Sequence, residues 1–198
     1  RWTPHVACGP GALAERAAAL GVPVHLTPQP RLRRSLTAAV KLASVARSLA
    51  SVARQTGAAL LIANTVRAAF YSAPAAQLAR IPFVWHMRDF WLSESRPRLV
   101  WADTLLKALV GALAARIITN SHATRQPQPL KGRVITIHNG IEIPRSATGQ
   151  EGASFRRACG IAAEAPLVGM VARLAPWKGQ ERFLRVAARV RQELPQAW

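Results

Sequence analysis

The sequence predicts an α/β fold in which helices cover a parallel β-sheet on both faces. Short apolar segments rich in β-branched residues alternate with longer segments of helical periodicity, and this alternation is typical of βαβ units. Half of the 198 residues are hydrophobic, which is enough to bury a substantial core. These observations exclude a disordered or low-complexity chain.

The N-terminal part of the chain is predicted to contain six strands with helices between most of them. Gly21 ends the first helix. The second helix has one apolar stripe, because its apolar residues recur at spacings of three and four: Leu42, Val45, Leu49 and Val52. The predicted strands are residues 5–8, 22–26, 58–63, 82–86, 116–119 and 133–137, and the predicted helices are residues 12–20, 32–54, 66–79 and 100–115.

A change of composition predicts a domain boundary near Pro144. Residues 141–152 are rich in proline, glycine, serine and threonine and have no periodicity, which is typical of a linker. The second part is predicted to contain a short helix, a strand and a longer helix, at residues 154–159, 167–172 and 178–194. Because one strand cannot close a core, we expect residues 144–198 to be only the beginning of a second domain.

The charge is strongly positive and unevenly distributed. Lys and Arg number 27 against 9 Asp and Glu, which gives a net charge of +18. No acidic residue lies between Glu15 and Asp89, where basic residues occur throughout. Such a field would attract nucleic acid, an anionic membrane or a phosphate-bearing substrate, although the arginines would also suit ordinary solvated helix faces. No aromatic residues interleave with the basic side chains of residues 31–54, so we rank nucleic acid last among these three partners.

The cysteines and the hydropathy restrict the cellular setting. Cys8 and Cys159 are far apart in sequence and belong to no CxxC motif, so we expect neither a disulfide framework nor a zinc site. The longest apolar run, residues 108–118, is shorter than the roughly 18 residues of a membrane span. The chain starts at Arg1 without a signal-peptide pattern, as a cut end would. We therefore expect a cytoplasmic protein, soluble or bound to a membrane surface.

One candidate site lies at the end of the fourth predicted strand, in the segment WHMRDFW at residues 85–91. Functional groups of parallel sheets collect at the carboxyl ends of the strands. His86 would hold a sugar hydroxyl or move a proton, and the aromatic rings suit a carbohydrate. The alternative is a structural loop in which Arg88 pairs with Asp89 and the aromatic residues pack inward.

A second candidate site lies between the last predicted strand and the last helix. Arg173 and Lys178 are followed by Gly179 and a helix N-terminus, an arrangement that suits a diphosphate because backbone amides and two cations converge. The segment is neither a Walker loop nor a GxGxxG motif. The alternative is a loop with two solvated bases.

Two further segments are less informative by themselves. Asn139 and Gly140 favour a tight turn where the first domain ends. Ser121 is placed to cap a short helix after the fifth strand. The sequence contains no GxSxG nucleophile elbow and no HExxH metal motif.

Three of these segments, taken together, resemble the retaining GT-B glycosyltransferases of family 4. They are RIITNSHAT at residues 116–124, VITIHNGIE at residues 134–142 and VGMVARLAPWKG at residues 168–179. The resemblance implies two Rossmann-like domains: an acceptor-side domain at residues 1–143, and a nucleotide-sugar-binding domain that starts at residues 144–198. It also implies that this chain is about half of such an enzyme, which would have a strand, loop and helix before Arg1 and most of the donor domain after Trp198.

The resemblance further implies transfer of a sugar from a nucleotide-sugar donor, with retention of configuration and without a metal or other cofactor. Arg173 and Lys178 match the pair that holds the donor diphosphate and stabilises the leaving charge. His86 matches the active-site histidine near the transferred sugar. The other acceptor-side and interdomain positions are Arg88, Asp89, Asn139 and Gly140.

The resemblance leaves the donor sugar open and suggests the kind of acceptor. Glu142 stands where the family usually has Asp, Ala172 stands where it often has Gly, and the paired-glutamate motif is not present. Many relatives modify lipid-linked or cell-envelope glycans, so we expect a role in envelope polysaccharide synthesis and peripheral attachment to anionic membrane. Because half of the donor pocket is absent, the 198 residues alone are expected to be inactive.

Two other functions stay open. One is a GT-B enzyme that is not a transferase, such as a nucleotide-sugar epimerase. The combination of Arg173, Lys178 and the HNGIE segment favours transfer over epimerisation. The other is a basic, non-enzymatic module that binds membranes or nucleic acid, and only the charge supports it.

Overall fold

The computed structural model describes residues 2–30, 37–88, 100–142 and 149–198. The chain divides into two compact units, Arg1–Asn139 and Gly140–Trp198. This division lies four residues before the start of the second domain predicted at residue 144. Among the described residues, no helix combines the length and apolarity needed to cross a lipid bilayer. Cys8 and Cys159 are both free thiols.

The described residues of the first unit form six strands, and every neighbouring pair is parallel, as predicted. They form two sheets instead of one. The two-stranded sheet has the order β1-β2 and the four-stranded sheet the order β3-β4-β5-β6. The strands are β1 (Val6–Cys8), β2 (Val24–Leu26), β3 (Leu61–Ala63), β4 (Phe83–Met87), β5 (Arg116–Thr119) and β6 (Val134–Thr136).

Seven α-helices lie in the described residues. Helices α1 to α5 belong to the first unit, and α6 and α7 belong to the second. Two 3-10 turns, Lys131–Arg133 and Pro176–Lys178, complete the regular structure of this part of the chain. The helices are α1 (Ala12–Ala19), α2 (Ala38–Gln55), α3 (Val66–Ala79), α4 (Val100–Leu113), α5 (His122–Arg125), α6 (Gly149–Ala158) and α7 (Gln180–Glu193). The start of the helix predicted at residues 32–54 lies partly outside the described residues.

Helix α3 is the centre of the first unit. Its N-terminus is capped by Thr65, whose Oγ1 accepts a hydrogen bond from the backbone N–H of Ala68 at 3.0 Å. Small residues let it pack closely on two sides. Ala69, Ala73 and Ala76 contact the core formed with β3, β4, β5 and α4, and Tyr71 and Ala75 contact the core formed with α2. Ala7 of β1 and Leu61 of β3 also pack against this second core. The same pair of helices therefore supports both sheets.

The four-stranded sheet has one buried and one partly exposed face. Along β4, Phe83, Trp85 and Met87 are fully buried, whereas the alternate side chains are half-buried. The register places Ile62 beside Val84, and Ile62 is 52% exposed. Ile135, on the same face, is 44% exposed. The prediction of a sheet covered on both faces is therefore wrong for the described residues.

The second unit differs most from the prediction. No strand forms at residues 167–172, where Val171 is completely exposed. The only backbone pairing of this segment in the described chain is with Trp198, whose C=O accepts from Val168 N–H and whose N–H donates to Pro166 O, both at 2.9 Å. This is the pattern of a parallel ladder over a single residue, and a strand needs a neighbour along its whole length.

The linker prediction is also wrong from residue 149 onward. Helix α6 begins there and extends to Ala158. The guanidinium of Arg156 donates to the carbonyl oxygens of Ala162 and Ala165 at 3.0 and 2.8 Å. The remainder of the predicted linker, residues 143–148, lies outside the described residues.

Candidate functional site

His86 lies in β4, one residue before the end of the strand. The alternation of the strand puts Trp85 in the core and His86 on the partly exposed face, in register with Ile118 of β5. Trp85 therefore offers no ring to a carbohydrate, contrary to expectation. Asp89, Phe90 and Trp91, also named in the prediction, lie outside the described residues.

Asn64 fixes the imidazole of His86. Asn64 follows β3, the strand beside β4, and its Oδ1 lies 3.1 Å from His86 Nδ1. Because an amide oxygen only accepts hydrogen bonds, Nδ1 carries the proton and Nε2 keeps its lone pair. Burial, and secondarily the cation of Arg88, lower the pKa of His86 below 6.5. At neutral pH His86 is therefore uncharged and presents Nε2 as a hydrogen-bond acceptor or base.

The pKa of His86 gives a testable pH dependence. Between the lowered pKa and 6.5 the unfolded chain binds more protons at this position than the folded chain does. The free energy of unfolding therefore falls as the pH drops through this window, and below the window His86 makes no further contribution to the fall.

In an NMR titration, Arg88→Gln should raise the pKa of His86, but not fully to 6.5, because burial is the larger cause. Arg47→Gln, on α2, is the control, and an equal rise there would contradict the assignment to Arg88.

Asn120 connects the ends of two neighbouring strands. Its Nδ2 donates to the backbone oxygen of Arg88 at 2.9 Å, and its Oδ1 accepts from Thr124 Oγ1 at 3.0 Å. Ser121 caps α5 through a capping box with Thr124, which confirms the predicted N-cap. The backbone after β4 is thus held to the turn after β5.

The sequence prediction missed the roles of Asn64 and Asn120. Each is an Asn directly after a strand of the four-stranded sheet, at the carboxyl edge where His86 also lies. Polar residues at that edge were the available signal. The contacts themselves depend on strand pairing. The pairing of β3 with β4 brings Asn64 to His86, and the pairing of β4 with β5 brings Asn120 to Arg88.

Asn139 and Gly140 stand where the two units divide. Both are exposed, and residues 137–142 form no hydrogen-bonded turn. The predicted tight turn is therefore wrong, and Gly140 does not use a positive φ. Just before them, the ring of His138 contacts His122 edge to face, with centroids 5.5 Å apart.

Arg173 and Lys178 lie in one closed loop of the second unit. Lys178 ends the 3-10 turn, and its backbone N–H donates to Ala175 O at 2.9 Å. Gln180, the first residue of α7, donates from Nε2 to the backbone oxygen of Arg173 at 2.7 Å. This bond holds the backbone of Arg173 against the start of the helix, and the side chains of Arg173 and Lys178 are both exposed.

The N-terminus of α7 is suited to an anion. Its N-cap is Gly179, at φ 80°, a left-handed conformation that glycine adopts without strain, and no side chain caps the first turn. The amides of that turn have no partner within the helix, and the helix dipole is positive there. Glu181, in the same turn, is paired with Arg185. Arg173 and Lys178 therefore both belong to the loop that leads into a helix N-terminus with uncapped amide donors.

Comparison with known proteins identifies the family of the chain and its fold. Residues 1–140 match the family model of the glycosyl transferase 4-like domain. No curated protein matches the chain. The fold is similar to that of HepE from Anabaena in complex with UDP-glucose, with a TM-score of 0.69 and 24% identity over 90% of this chain and 47% of that one. It is also similar to a glycosyltransferase from Rickettsia africae, with a TM-score of 0.66 and 11% identity over 96% of this chain and 50% of that one.

The chain thus spans about half the length of the solved structures that it matches. The likeness confirms the predicted fold class, α/β with Rossmann-like architecture of the GT-B type. The family model covers well over half of the chain. The chain belongs to the glycosyl transferase 4-like domain family.

Proposed function

We propose that the chain forms part of a retaining glycosyltransferase of family 4 that moves a sugar from a nucleotide-sugar donor to a glycan or lipid-linked acceptor. The observation that carries the proposal is the loop at residues 173–180. There Arg173, Lys178 and the uncapped N-terminus of α7 belong to one hydrogen-bonded structure. Family membership and the UDP-glucose bound to HepE support a nucleotide-sugar as the donor.

The donor loop would act on the leaving group. When the bond between sugar and diphosphate breaks, negative charge develops on the nucleoside diphosphate. Two cations and oriented amides stabilise that charge in the transition state, which is where electrostatic catalysis has its largest effect. Because this charge is provided by Arg173 and Lys178, the proposed reaction needs no metal ion.

The first unit would position the acceptor. His86 is neutral at physiological pH, and its Nε2 accepts a hydrogen bond while Asn64 holds Nδ1. A sugar hydroxyl is a suitable donor to that nitrogen. Arg88 and Asp89 follow on the acceptor side, and Asn139 and Gly140 lead into the second unit.

We also infer that the enzyme acts in cell-envelope polysaccharide synthesis at the cytoplasmic face of the membrane. The acid-free stretch between Glu15 and Asp89 supports contact with anionic lipid. In co-sedimentation, anionic vesicles should then retain the chain in a salt-sensitive manner, and equal retention on neutral vesicles would remove this part of the proposal.

The experiment that tests the function starts from the complete reading frame. We expect the frame to extend beyond both ends of this chain and its product to transfer sugar from UDP-glucose or another nucleotide-sugar in the presence of EDTA, with retention seen by NMR of the product. The 198 residues alone should be inactive, because they span about half of the related structures. An epimerised donor without transfer would replace the proposal by an epimerase, and a frame limited to these residues would overturn it.

A further inference from the structure

A cleft of about 430 Å³ opens beside the two-stranded sheet of the first unit. Its walls come from residues 27–30, which directly follow β2, and from the first three turns of α2. The volume lies within the range of roughly 300–1,000 Å³ that small-molecule sites occupy. This cleft is separate from the candidate site above, because none of the described residues of that site lines it.

One wall of the cleft is a polar face of α2. Lys41, Ser44 and Ser48 line it, and their spacing of three and four residues puts them on one side of the helix. All three side chains are exposed. They offer one ammonium group and two hydroxyl groups in a row along the cleft.

The opposite wall contains a buried hydroxyl without a partner. Thr27 is only 3% exposed, and its backbone N–H donates to Cys8 O at 2.8 Å, which extends the ladder of β1 and β2. Its Oγ1 has no hydrogen-bond partner among the residues that the structure describes. Buried hydroxyls in native structures are nearly always hydrogen-bonded. This oxygen is inaccessible to solvent and therefore does not face the open cleft, so the polar side chains available there are Lys41, Ser44 and Ser48 of α2.

The remaining walls are apolar and fixed in position. Pro28, Pro30 and Val45 line the cleft, and the fully buried Tyr71 donates its hydroxyl to the backbone oxygen of Pro30. No carboxylate occurs in the walls, and the sequence has none between Glu15 and Asp89. A cation in acid-free surroundings favours an anionic ligand.

We propose that this cleft binds a phosphorylated saccharide. Lys41 and the hydroxyl of Ser44 contact the phosphate, the hydroxyl of Ser48 one turn further along α2 hydrogen-bonds to the sugar, and the prolines pack against its ring. Charge, hydroxyl groups and an apolar surface each match one part of such a ligand. That this ligand is the acceptor of the transfer rests on the proposed function, whereas the binding itself does not.

The test measures binding of glucose 1-phosphate to the 198-residue chain by NMR, without a donor. We expect glucose 1-phosphate to bind more tightly than inorganic phosphate, and glucose to bind most weakly. Lys41→Gln should weaken binding about 10- to 100-fold, the range for loss of a charge-assisted hydrogen bond. Ser48→Ala removes one neutral hydrogen bond and should weaken binding less, about 5- to 10-fold.

Arg47→Gln is the matched control, because it removes the same charge from α2 at a position outside the cleft. Equal weakening by Arg47→Gln and Lys41→Gln, with both variants folded by circular dichroism, would overturn the proposal in favour of general attraction by the basic surface. Equal affinity for inorganic phosphate and glucose 1-phosphate would overturn its saccharide part.

The source of the phosphate is decided by competition. Vesicles of phosphatidylcholine with phosphatidic acid will displace glucose 1-phosphate if the cleft takes a lipid-linked phosphate, and will leave it bound if the ligand is a free sugar phosphate. Both results support the binding of a phosphorylated ligand in the cleft. If glucose 1-phosphate binds in a Lys41-dependent manner but the complete protein transfers no sugar, only the proposed function is rejected. If the complete protein transfers sugar but this binding is not seen, only the proposed binding site in the cleft is rejected.

Discussion

Lys178→Ala, made in the protein encoded by the complete reading frame, should transfer sugar about 100- to 1,000-fold more slowly, the usual cost of removing one transition-state donor. Lys178 ends the 3-10 turn beside the N-terminus of α7, and its exposed ammonium group is available to the diphosphate. The charge on the leaving group grows during bond cleavage, so the loss should lie mainly in kcat rather than KM. Initial rates over a range of donor concentrations separate the two constants.

Two further variants make this result specific. Lys178→Arg keeps the charge and should recover much of the rate. Arg189→Ala removes a cation from α7 about 15 Å further along the helix, beyond the screening length of about 8 Å at physiological salt, and should be nearly unchanged. If Arg189→Ala were as slow as Lys178→Ala, the rate would depend on net charge and not on the donor loop.

Trp85→Ala should lower the free energy of unfolding of the 198-residue chain by about 3–5 kcal/mol, as is typical when a large aromatic side chain is removed from a core. Trp85 is fully buried in β4 and packs in the core that β3, β5, α3 and α4 share. The small alanines of α3 fit around large side chains of the sheet and cannot fill the space that a missing indole leaves. Urea denaturation followed by circular dichroism measures the change.

Ile62→Ala is the control for this variant. Ile62 belongs to the neighbouring strand but is 52% exposed on the other face of the sheet. Its loss should cost about 1 kcal/mol, because only part of its apolar area is buried. Equal losses for the two variants would contradict the conclusion that one face of the sheet carries the core.

Local signals explain which elements could be predicted from the sequence. Helix α3 and strand β5 have the predicted bounds, residues 66–79 and 116–119. Thr65 marks the start of the helix, and Arg80 ends it in a left-handed conformation. The strand is a short β-branched run between a helix and a capping Ser. In both cases the information lies within a few residues of the boundary.

Elements that depend on a distant partner could not be predicted in the same way. Residues 167–172 have the composition of a strand, but strand formation requires backbone partners, and in the described chain only Trp198 supplies them. The division of six strands into two sheets is likewise a matter of pairing and not of composition.

The candidate site shows the same limit. His86, Arg173 and Lys178 could be selected by residue type and by their position at or after a predicted strand, yet the contact between Asn64 and His86 spans 22 residues of sequence. Some of the positive charge also has a structural role. Arg133 donates to the carbonyl oxygens of Ala112 and Ala114 at the end of α4, each at 2.8 Å. Charge counting does not separate such arginines from those that attract a ligand.

The division of the strands into two sheets has a consequence for how the first unit behaves in solution. In the described chain β1 and β3 each pair on one side only, although α2 and α3 support both. Each strand therefore presents a row of unused N–H and C=O groups along its other edge. Such edges accept an extended peptide by β-strand addition, and in concentrated solution they favour association between molecules. The open edges of β1 and β3 are therefore places in the described part of the unit where an added strand would find backbone partners.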